Sequence, residues 1–382
     1  MAMIRVIYGK AGTGKTTSIL GELALAVSKG IGGYILLVPE QYSHEAEREL
    51  CKACGDSTSL YAEVMSFTGL ARNLYSEYGG REPEFLDKGG RFLCLYEAME
   101  LSGGKLNIYG SLNRKADRQE MLLQTIDELK AGGITAERLS EAASRCEDSV
   151  LRKKLEDLCV LTNAYEEAIL SGKADPADRL TNLCRFIEEK KIGEGLKIYA
   201  DGFTDFTFQE YTVLFALAEN GADLTVCLTI DPEDPKNEIF AMSVAAAEKF
   251  HAFSKKNGIE FKGTACRNAV GKDSSAAALA KNILSIPPEK FEGESNVKLF
   301  SAASVFDECE MAAGEILRLV REKDCRWRDI AVAVRGFERY ETALKSTFDM
   351  YSIPLFLSKK NSLLSKPFPA MIAGVYEIIC GG

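Results

Sequence analysis

The sequence predicts an α/β protein with a parallel sheet domain, an all-helical insertion and the start of a second α/β domain. Three observations carry this prediction. Short β-branched or apolar runs alternate with helical spacing of apolar residues at both ends of the chain, and a glycine-rich loop at 9–14 joins the first run to the first helix. Between these two ends of the chain, residues 87–190 show helical spacing of apolar residues with little strand signal. A strand, a helix and a strand in that order form a βαβ unit with parallel strands.

We predict that the first domain comprises residues 1–86 and 191–296. Its strands are expected where runs are β-branched or continuously apolar, as buried parallel strands are. They are IRVIYG at 4–9, YILLVPEQ at 34–41, LYAEVMSF at 60–67, LKIYADGF at 196–203 and ADLTVCLTIDP at 222–232. A helix after the glycine loop is expected to stop at Gly30, and another is expected at 240–258 between loops.

The helical insertion is predicted over 87–190, where apolar residues recur at spacings of three and four. A second sheet domain is predicted over 297–382 from a renewed alternation of strand and helix patterns. Its expected strands are VKLFSAAS at 297–304, DIAVAVRG at 329–336 and IPLFLS at 353–358. We expect this domain to be truncated, because its alternation stops soon after the next helix.

Composition limits the class of protein. The 382 residues are 46% hydrophobic and 27% charged, with no apolar run near the ~20 residues that a membrane span needs. The start of the chain lacks the apolar core of a signal peptide, so we expect a cytoplasmic protein with reduced cysteines. The net charge of -9 does not indicate nucleic-acid binding, yet a local groove can still bind a few nucleotides.

The glycine loop matches the phosphate-binding pattern G-x-x-x-x-G-K-[ST] in full, between a predicted strand and a predicted helix. Backbone N–H groups of such a loop, and the helix N-terminus behind it, face phosphate oxygens. We expect Lys15 to contact the β and γ phosphates of ATP and Thr16 to bind Mg²⁺. The predicted nucleotide-binding residues are Gly9, Lys10, Ala11, Gly12, Thr13, Gly14, Lys15, Thr16 and Thr17.

Hydrolysis of ATP requires more than a phosphate loop. ATPases with such a loop usually have an acidic pair at the end of a neighbouring strand. The Asp binds Mg²⁺, and the Glu that follows it orients and activates water. Here Asp201 stands at a strand end and Gly202 occupies the place of the Glu. Because general-base help is worth roughly 10² to 10⁴ in rate, its loss predicts a slow ATPase or none. Asp205 is the one further acidic candidate for activating water, and an ordinary strand-end cap is the alternative role for Asp201.

The order of motifs resembles that of the UvrD-like superfamily 1 helicases. The stretches are the phosphate loop, ILLVPEQYSHEAEREL, VMSFTGLARNLY, the helical insertion, IYADGFTDFTFQE and finally RWRDIAVAVRGFERY. More closely, this order resembles the N-terminal part of the AddB (RexB) family of helicase/deoxyribonuclease subunits. The resemblance implies RecA-like folds for both sheet domains.

The resemblance also implies a site for single-stranded DNA at the strand ends. The matching residues are Gln41, Ser43, Ser66, Phe67, Thr68 and Arg72, and the nearby Phe206 and Phe208 are further candidates for stacking on bases. For the phenylalanines, a place in the core is the alternative. Arg335 matches the arginine that reaches the γ-phosphate from the second domain in the helicases.

Three departures from the helicase pattern weaken a motor function. The acidic motif is DG where motors have DE, LTIDPED replaces the motif that senses the γ-phosphate, and no upstream glutamine precedes the loop. The resemblance therefore implies a helicase-like region that binds ATP, Mg²⁺ and single-stranded DNA with weak or absent hydrolysis. It also implies an AddA-type partner subunit, scanning of DNA for the Chi sequence in double-strand-break repair, and a nuclease domain with an iron-sulfur cluster beyond residue 382. An active superfamily 1 ATPase or helicase and a small-molecule kinase are the alternatives.

Overall fold

The computed structural model describes residues 2–55, 58–111, 116–169, 173–267, 274–283, 287–357 and 366–381. The chain divides into two compact units, 1–272 and 273–382, which are described separately below. The predicted domain limits at 86, 190 and 296 remain predictions.

A six-stranded parallel sheet forms the centre of the first unit, so the α/β prediction is confirmed. The strands lie side by side in the order β3-β2-β4-β5-β1-β6. They are β1 (Met3–Gly9), β2 (Tyr34–Leu37), β3 (Ala62–Met65), β4 (Lys197–Ala200), β5 (Asp223–Thr229) and β6 (Glu260–Ala265). Because all of the strands are parallel, their carboxyl ends meet at one edge of the sheet, where open α/β proteins bind ligands.

Helices cover both faces of the sheet. In chain order they are α1 (Lys15–Ser28), α2 (Ser43–Cys54), α3 (Phe67–Glu77), α4 (Lys88–Ser102), α5 (Ala116–Ala131), α6 (Ala136–Arg145), α7 (Ser149–Ile169), α8 (Arg179–Lys190), α9 (Phe208–Glu219) and α10 (Ala241–Asn257). The prediction of a helix after the loop and of another near 240–258 is confirmed.

Successive residues of a strand point to opposite faces, and both faces are buried here. In β1, Ile4 and Val6 belong to the core under α3, α8, α9 and α10, whereas Ile7 belongs to the core under α1 and α2. In β2, Ile35 and Leu36 divide in the same way. Two-sided burial explains why these strands are continuously apolar in the sequence. Each fully buried side chain of this size contributes about 1.5 to 3 kcal/mol.

Helices α4 to α7 form a layer with its own core, and the described residues between α4 and α8 form no strand. Tyr165 is fully buried at its centre, packed among Leu95, Met99 and Leu161. A single backbone bridge between Phe85 and Ala174 marks where the chain enters and leaves this layer. The layer lies within residues 87–190, where the helical insertion is predicted, whereas α8 at the end of that range packs against the sheet.

The sixth strand, β6, was not predicted. Its sequence EFKGTA alternates polar and apolar residues and pairs only with β1, at the edge of the sheet. None of its side chains is buried, so its sequence lacks the continuous apolar run that marks β1 and β2.

The second unit contains α11 (Ser274–Asn282), α12 (Val305–Glu322), α13 (Phe337–Met350) and α14 (Pro367–Gly381). A small core between α12 and α13 buries Cys309, Ala313, Leu344 and Phe348. The predicted strands at 297–304, 329–336 and 353–358 are wrong for the described residues, which form no β-ladder there; residue 358 lies outside them. A ladder needs hydrogen-bonding neighbours that are distant in sequence, and the local apolar pattern on which the predictions rested cannot supply them.

Within the described part of the chain, no helix combines the length and the apolar character needed to cross a lipid bilayer. The cysteines from Cys51 to Cys325 have free thiols.

Candidate nucleotide and nucleic-acid site

The phosphate loop joins β1 to α1 at the carboxyl edge of the sheet. Gly12 and Gly14 have φ angles of 76° and 84°, in the left-handed region that side chains disfavour. At Gly9 an added Cβ would lie 2.4 Å from the backbone oxygen of Cys266, which follows β6. The glycines are therefore needed for the curve of the loop and for its close contact with the neighbouring strand.

Lys15, the first residue of α1, is 9% exposed and points back over the loop. Its ammonium group donates hydrogen bonds to the backbone oxygens of Gly9 at 2.7 Å and Lys10 at 2.9 Å. The charge is thus held inside the curve of the loop. A phosphate bound in that curve would meet the ammonium group and the N-terminus of α1 together.

Thr16 and Asp201, the two predicted magnesium ligands, lie in contact. The Thr16 hydroxyl donates a 2.7 Å hydrogen bond to Oδ2 of Asp201, which follows β4 and is 7% exposed. These residues are 185 positions apart in sequence and meet because β1 and β4 end at the same edge. A hydroxyl and a carboxylate are both oxygen ligands that suit Mg²⁺, so the pair fits this ion.

Asp231, which follows β5, was not predicted to belong to the site. Its Oδ2 lies 2.6 Å from the ammonium group of Lys10 in the phosphate loop. Burial alone would raise the pKa of the Asp231 carboxyl, but hydrogen bonds from Lys10 and from backbone amides lower it below its usual value. The signal in the sequence was its position at a strand end, as for Asp201.

Gly202 has a φ angle of 82°, and a Cβ there would lie 3.3 Å from Pro39. The residue in the place of the helicase glutamate is therefore in a conformation that suits glycine. Asp205, the other acidic candidate, accepts a 2.7 Å hydrogen bond from the Tyr211 hydroxyl and lies 3.7 Å from Lys249. These contacts, and not the phosphate loop, orient the Asp205 carboxylate.

Replacing Gly202 with alanine is expected to lower the free energy of unfolding by about 1 to 2 kcal/mol, the cost of a left-handed backbone for a residue with a Cβ. The matched control is Gly32→Ala, because Gly32 has open space around it and no positive φ. Urea unfolding of both variants tests this, and equal stabilities would contradict it.

At the same edge of the sheet, a groove of about 280 Å³ lies at the carboxyl ends of β2, β3 and β4. We call it the strand-end groove. One side is lined by residues that follow these strands. The other is lined by Pro176 and Ala177 of the short 3-10 helix Pro176–Asp178 and by the starts of α8 and α9. Its lining includes Pro39, Glu40, Ser66, Phe67, Thr68, Pro176, Ala177, Arg179, Phe203, Gln209 and Glu210.

The structure brings only some of the predicted DNA-binding residues to this groove. Ser66, Phe67 and Thr68 line it, and the Ser66 hydroxyl also caps α3 by accepting a hydrogen bond from Gly69 N–H. The remaining polar candidates are not among the residues that line the groove. They are Gln41, which is exposed, Ser43, whose hydroxyl donates to the backbone oxygen of Pro39 at 3.5 Å, and Arg72, which is 4.0 Å from Glu82.

The aromatic candidates need correction. Phe206 is 5% exposed and packs edge-on against Phe67 and Phe250 in the core, so it has no free face for a base. Phe67 is 6% exposed and is also a core residue. Phe208 is 52% exposed and its ring packs over Gly133 of the helical layer. The sequence shows three phenylalanines in six positions, but only the packing decides which of them faces solvent.

Arg179 and Gln209 line the groove and were missed by sequence reasoning. Arg179 Nε lies 3.0 Å from Glu82, and its guanidinium stacks over Phe85. Arg335, the predicted γ-phosphate arginine, lies in the second unit, just before α13. Its role remains a prediction.

The fold and the site define an α/β protein whose glycine loop, strand-end aspartates and adjoining groove share one edge of a parallel sheet. A family model described as "ADDB, N-terminal" matches residues 6–282, and the chain belongs to this family.

Curated relatives support the assignment. The chain is 32% identical to the B subunit of the ATP-dependent helicase/deoxyribonuclease of Caldanaerobacter subterraneus, over 98% of this chain and 33% of the relative. It is 31% identical to the relative of the same name in Thermoanaerobacter pseudethanolicus and 28% to that in Clostridium perfringens, over 98% of the chain in both cases and 34% and 33% of the relatives. The chain thus spans about one third of the length of these relatives.

Proposed function

We propose that the chain is a nucleotide-binding and single-stranded-DNA-binding region, with a RecA-like phosphate-loop domain, of an ATP-dependent helicase/deoxyribonuclease. The observation that carries the proposal is the contact of Thr16 with Asp201 beside the buried ammonium group of Lys15. These three groups are the ones that would hold Mg²⁺ and the β and γ phosphates of ATP.

Weak or absent hydrolysis is part of the proposal. The residue after Asp201 has no side chain, and the Asp205 carboxylate is hydrogen-bonded to Tyr211. A water beside the γ-phosphate would therefore lack the general base that contributes roughly 10² to 10⁴ in rate. Nucleotide binding would then stabilise one conformation of the protein or regulate its affinity for DNA.

The strand-end groove supports single-stranded DNA as the polymer ligand. It begins at residues that follow the same strand edge as Asp201, and it offers the hydroxyls of Ser66 and Thr68 and the guanidinium of Arg179 for polar contacts with a nucleotide. A small-molecule kinase would have no use for a second groove, separate from the phosphate loop, at the same edge of the sheet. Contacts of unpaired bases with such a groove contribute about 1 to 3 kcal/mol each.

In the complete protein, we propose that this region takes part in processing DNA ends and in scanning for Chi during double-strand-break repair. Each relative is named as the B subunit of its enzyme, which supports a complex with a second, AddA-type subunit that supplies the main motor. Deoxyribonuclease activity and the iron-sulfur cluster would belong to the two thirds of the relatives that this chain does not cover. We place the complex in the cytoplasm.

Binding of a labelled single strand, with and without ATP and Mg²⁺, tests the proposal directly. Saturable binding of a nucleotide analogue and of single-stranded DNA by the same sample is the expected result. Nucleotide binding without any DNA binding would favour the kinase alternative, and binding of neither ligand would refute the proposal.

Salt dependence gives a further expected result. The described residues that line the groove include one cation, Arg179, and two carboxylates, those of Glu40 and Glu210. For single-stranded DNA, each phosphate that a cation neutralises contributes about -0.7 to the slope of log K against log salt, so we expect a slope of about -0.7 from the one cation of the groove. Fluorescence anisotropy between low and moderate salt measures it. A slope steeper than about -3 would show that a basic surface elsewhere dominates binding.

A further inference from the structure

One wall of the strand-end groove is held by a cluster of buried charges in the helical layer. Asp175 is fully buried and precedes the 3-10 helix Pro176–Asp178, which its carboxylate caps by accepting a 3.0 Å hydrogen bond from Ala177 N–H. Pro176 and Ala177 are part of the groove lining. The position of this wall therefore depends on what holds Asp175.

Lys130, near the end of α5, contacts both ends of that short helix. Its ammonium group lies 3.0 Å from Asp175 and 2.7 Å from Asp178, and it also lies 2.5 Å from Glu166 on α7. The Lys130 side chain is only 8% exposed. Burial alone would lower the pKa of Lys130, but the attraction of Asp178 and Asp175 raises it, so the charge is retained.

Two other residues complete the attachment. Arg91 on α4 lies 3.0 Å from Asp175, and its guanidinium is paired with Asp127. From the opposite side, the side-chain amide of Gln209 on α9 donates to the backbone oxygen of Ala177 at 2.9 Å. The groove wall is thus attached to the helical layer by charges and to the sheet-covering helices by a neutral hydrogen bond.

We propose that Lys130 is a positioning residue for single-stranded DNA: it fixes the wall at Pro176–Asp178 against the helical layer and thereby sets the shape of the strand-end groove. This inference rests on the proposed DNA-binding function. Lys130 does not line the groove, so it acts through Asp175 and Asp178 and not by contact with a phosphate.

The burial of the cluster explains why the effect should be large. Removal of one member of a buried charge pair leaves the partner charge without compensation, which is far more costly than loss of an exposed pair. If Lys130 were replaced, Arg91 would be the one cation paired with Asp175 among the described residues. The 3-10 helix that Asp175 caps would then shift or unfold.

The test compares Lys130→Met with Lys88→Met in the 382-residue chain. Lys88 also joins two helices of the layer through an ion pair, with Glu120, but both side chains of that pair are exposed. The two variants change the net charge equally. We expect Lys130→Met to weaken binding of a single strand about tenfold, the loss of roughly one base contact, and Lys88→Met to change it less than about twofold.

The salt slope separates positioning from direct contact. Lys130→Met should weaken binding with an unchanged slope, whereas loss of a phosphate contact would reduce the slope by about 0.7. Recovery of affinity in Lys130→Arg is also expected, because the charge near Asp175 is restored. Parent-like binding by Lys130→Met, or a reduced slope, would overturn the inference.

Hydrogen exchange of the backbone at 175–181 gives a readout that needs no DNA. Lys130→Met should exchange faster there while the sheet strands stay protected. If the parent chain binds no DNA, the proposed function fails, and the exchange result still decides whether Lys130 holds this wall.

If Lys130→Met does not fold, Asp178→Asn is the milder variant. Faster exchange at 175–181 in Asp178→Asn supports the inference, and parent-like exchange refutes it.

Discussion

Replacing Lys15 with alanine is expected to weaken ATP binding by about 10- to 150-fold. The ammonium group is buried within the curve of the phosphate loop, where its partners are backbone oxygens of Gly9 and Lys10. A bound phosphate would make charge-assisted hydrogen bonds with it, each worth about 1.5 to 3 kcal/mol. Titration with a fluorescent ATP analogue in the presence of Mg²⁺ measures the loss.

Lys29→Ala is the matched control, because Lys29 is exposed at the opposite end of α1 and the net charge changes equally. Its ATP affinity should equal that of the parent. Equal affinities of the parent and Lys15→Ala would contradict the proposal that ATP binds at the phosphate loop.

Phe206→Ala is expected to lower the free energy of unfolding by about 3 to 5 kcal/mol, the usual cost of removing a buried phenylalanine. The ring is 5% exposed and contacts the rings of Phe67, Phe203, Tyr211 and Phe250. Few atoms can move into the cavity that its removal would leave. Chemical unfolding of the purified variant measures the change.

Phe208→Ala is the comparison for Phe206→Ala, two positions along the chain and 52% exposed. It should cost less than about 1 kcal/mol in stability. Phe208 does not line the strand-end groove, so a strand that occupies only the groove should bind this variant as it binds the parent, whereas stacking of a base on Phe208 would make binding weaker by about 1 to 3 kcal/mol in the variant. A stable Phe206→Ala with weakened DNA binding would reverse our assignment of the two rings.

The centre of the fold could be predicted from the sequence because its signals are local. The glycines of the loop and the apolar runs of β1 and β2 each report on the conformation of their own residues. The contact of Thr16 with Asp201 could also be expected, because parallel strands bring their carboxyl ends to one edge.

Other features depend on contacts that a local pattern does not contain. The burial of Phe206 and the exposure of Phe208 follow from packing against α10 and the helical layer. Arg179 and Gln209 reach the groove only because the chain returns from the helical layer beside α9. The apolar runs of the second unit predicted strands, yet the described residues there form no ladder, since pairing requires a neighbouring strand.

The central claim is a nucleotide site that binds ATP without turning it over efficiently. Steady-state release of phosphate from ATP and Mg²⁺, measured with saturating single-stranded DNA on a sample shown to bind both ligands, tests it most directly. We expect turnover close to that of Lys15→Ala under the same conditions, with no stimulation by DNA. Turnover that DNA stimulates and that Lys15→Ala abolishes would contradict it, and would show an active ATPase in which another group activates water.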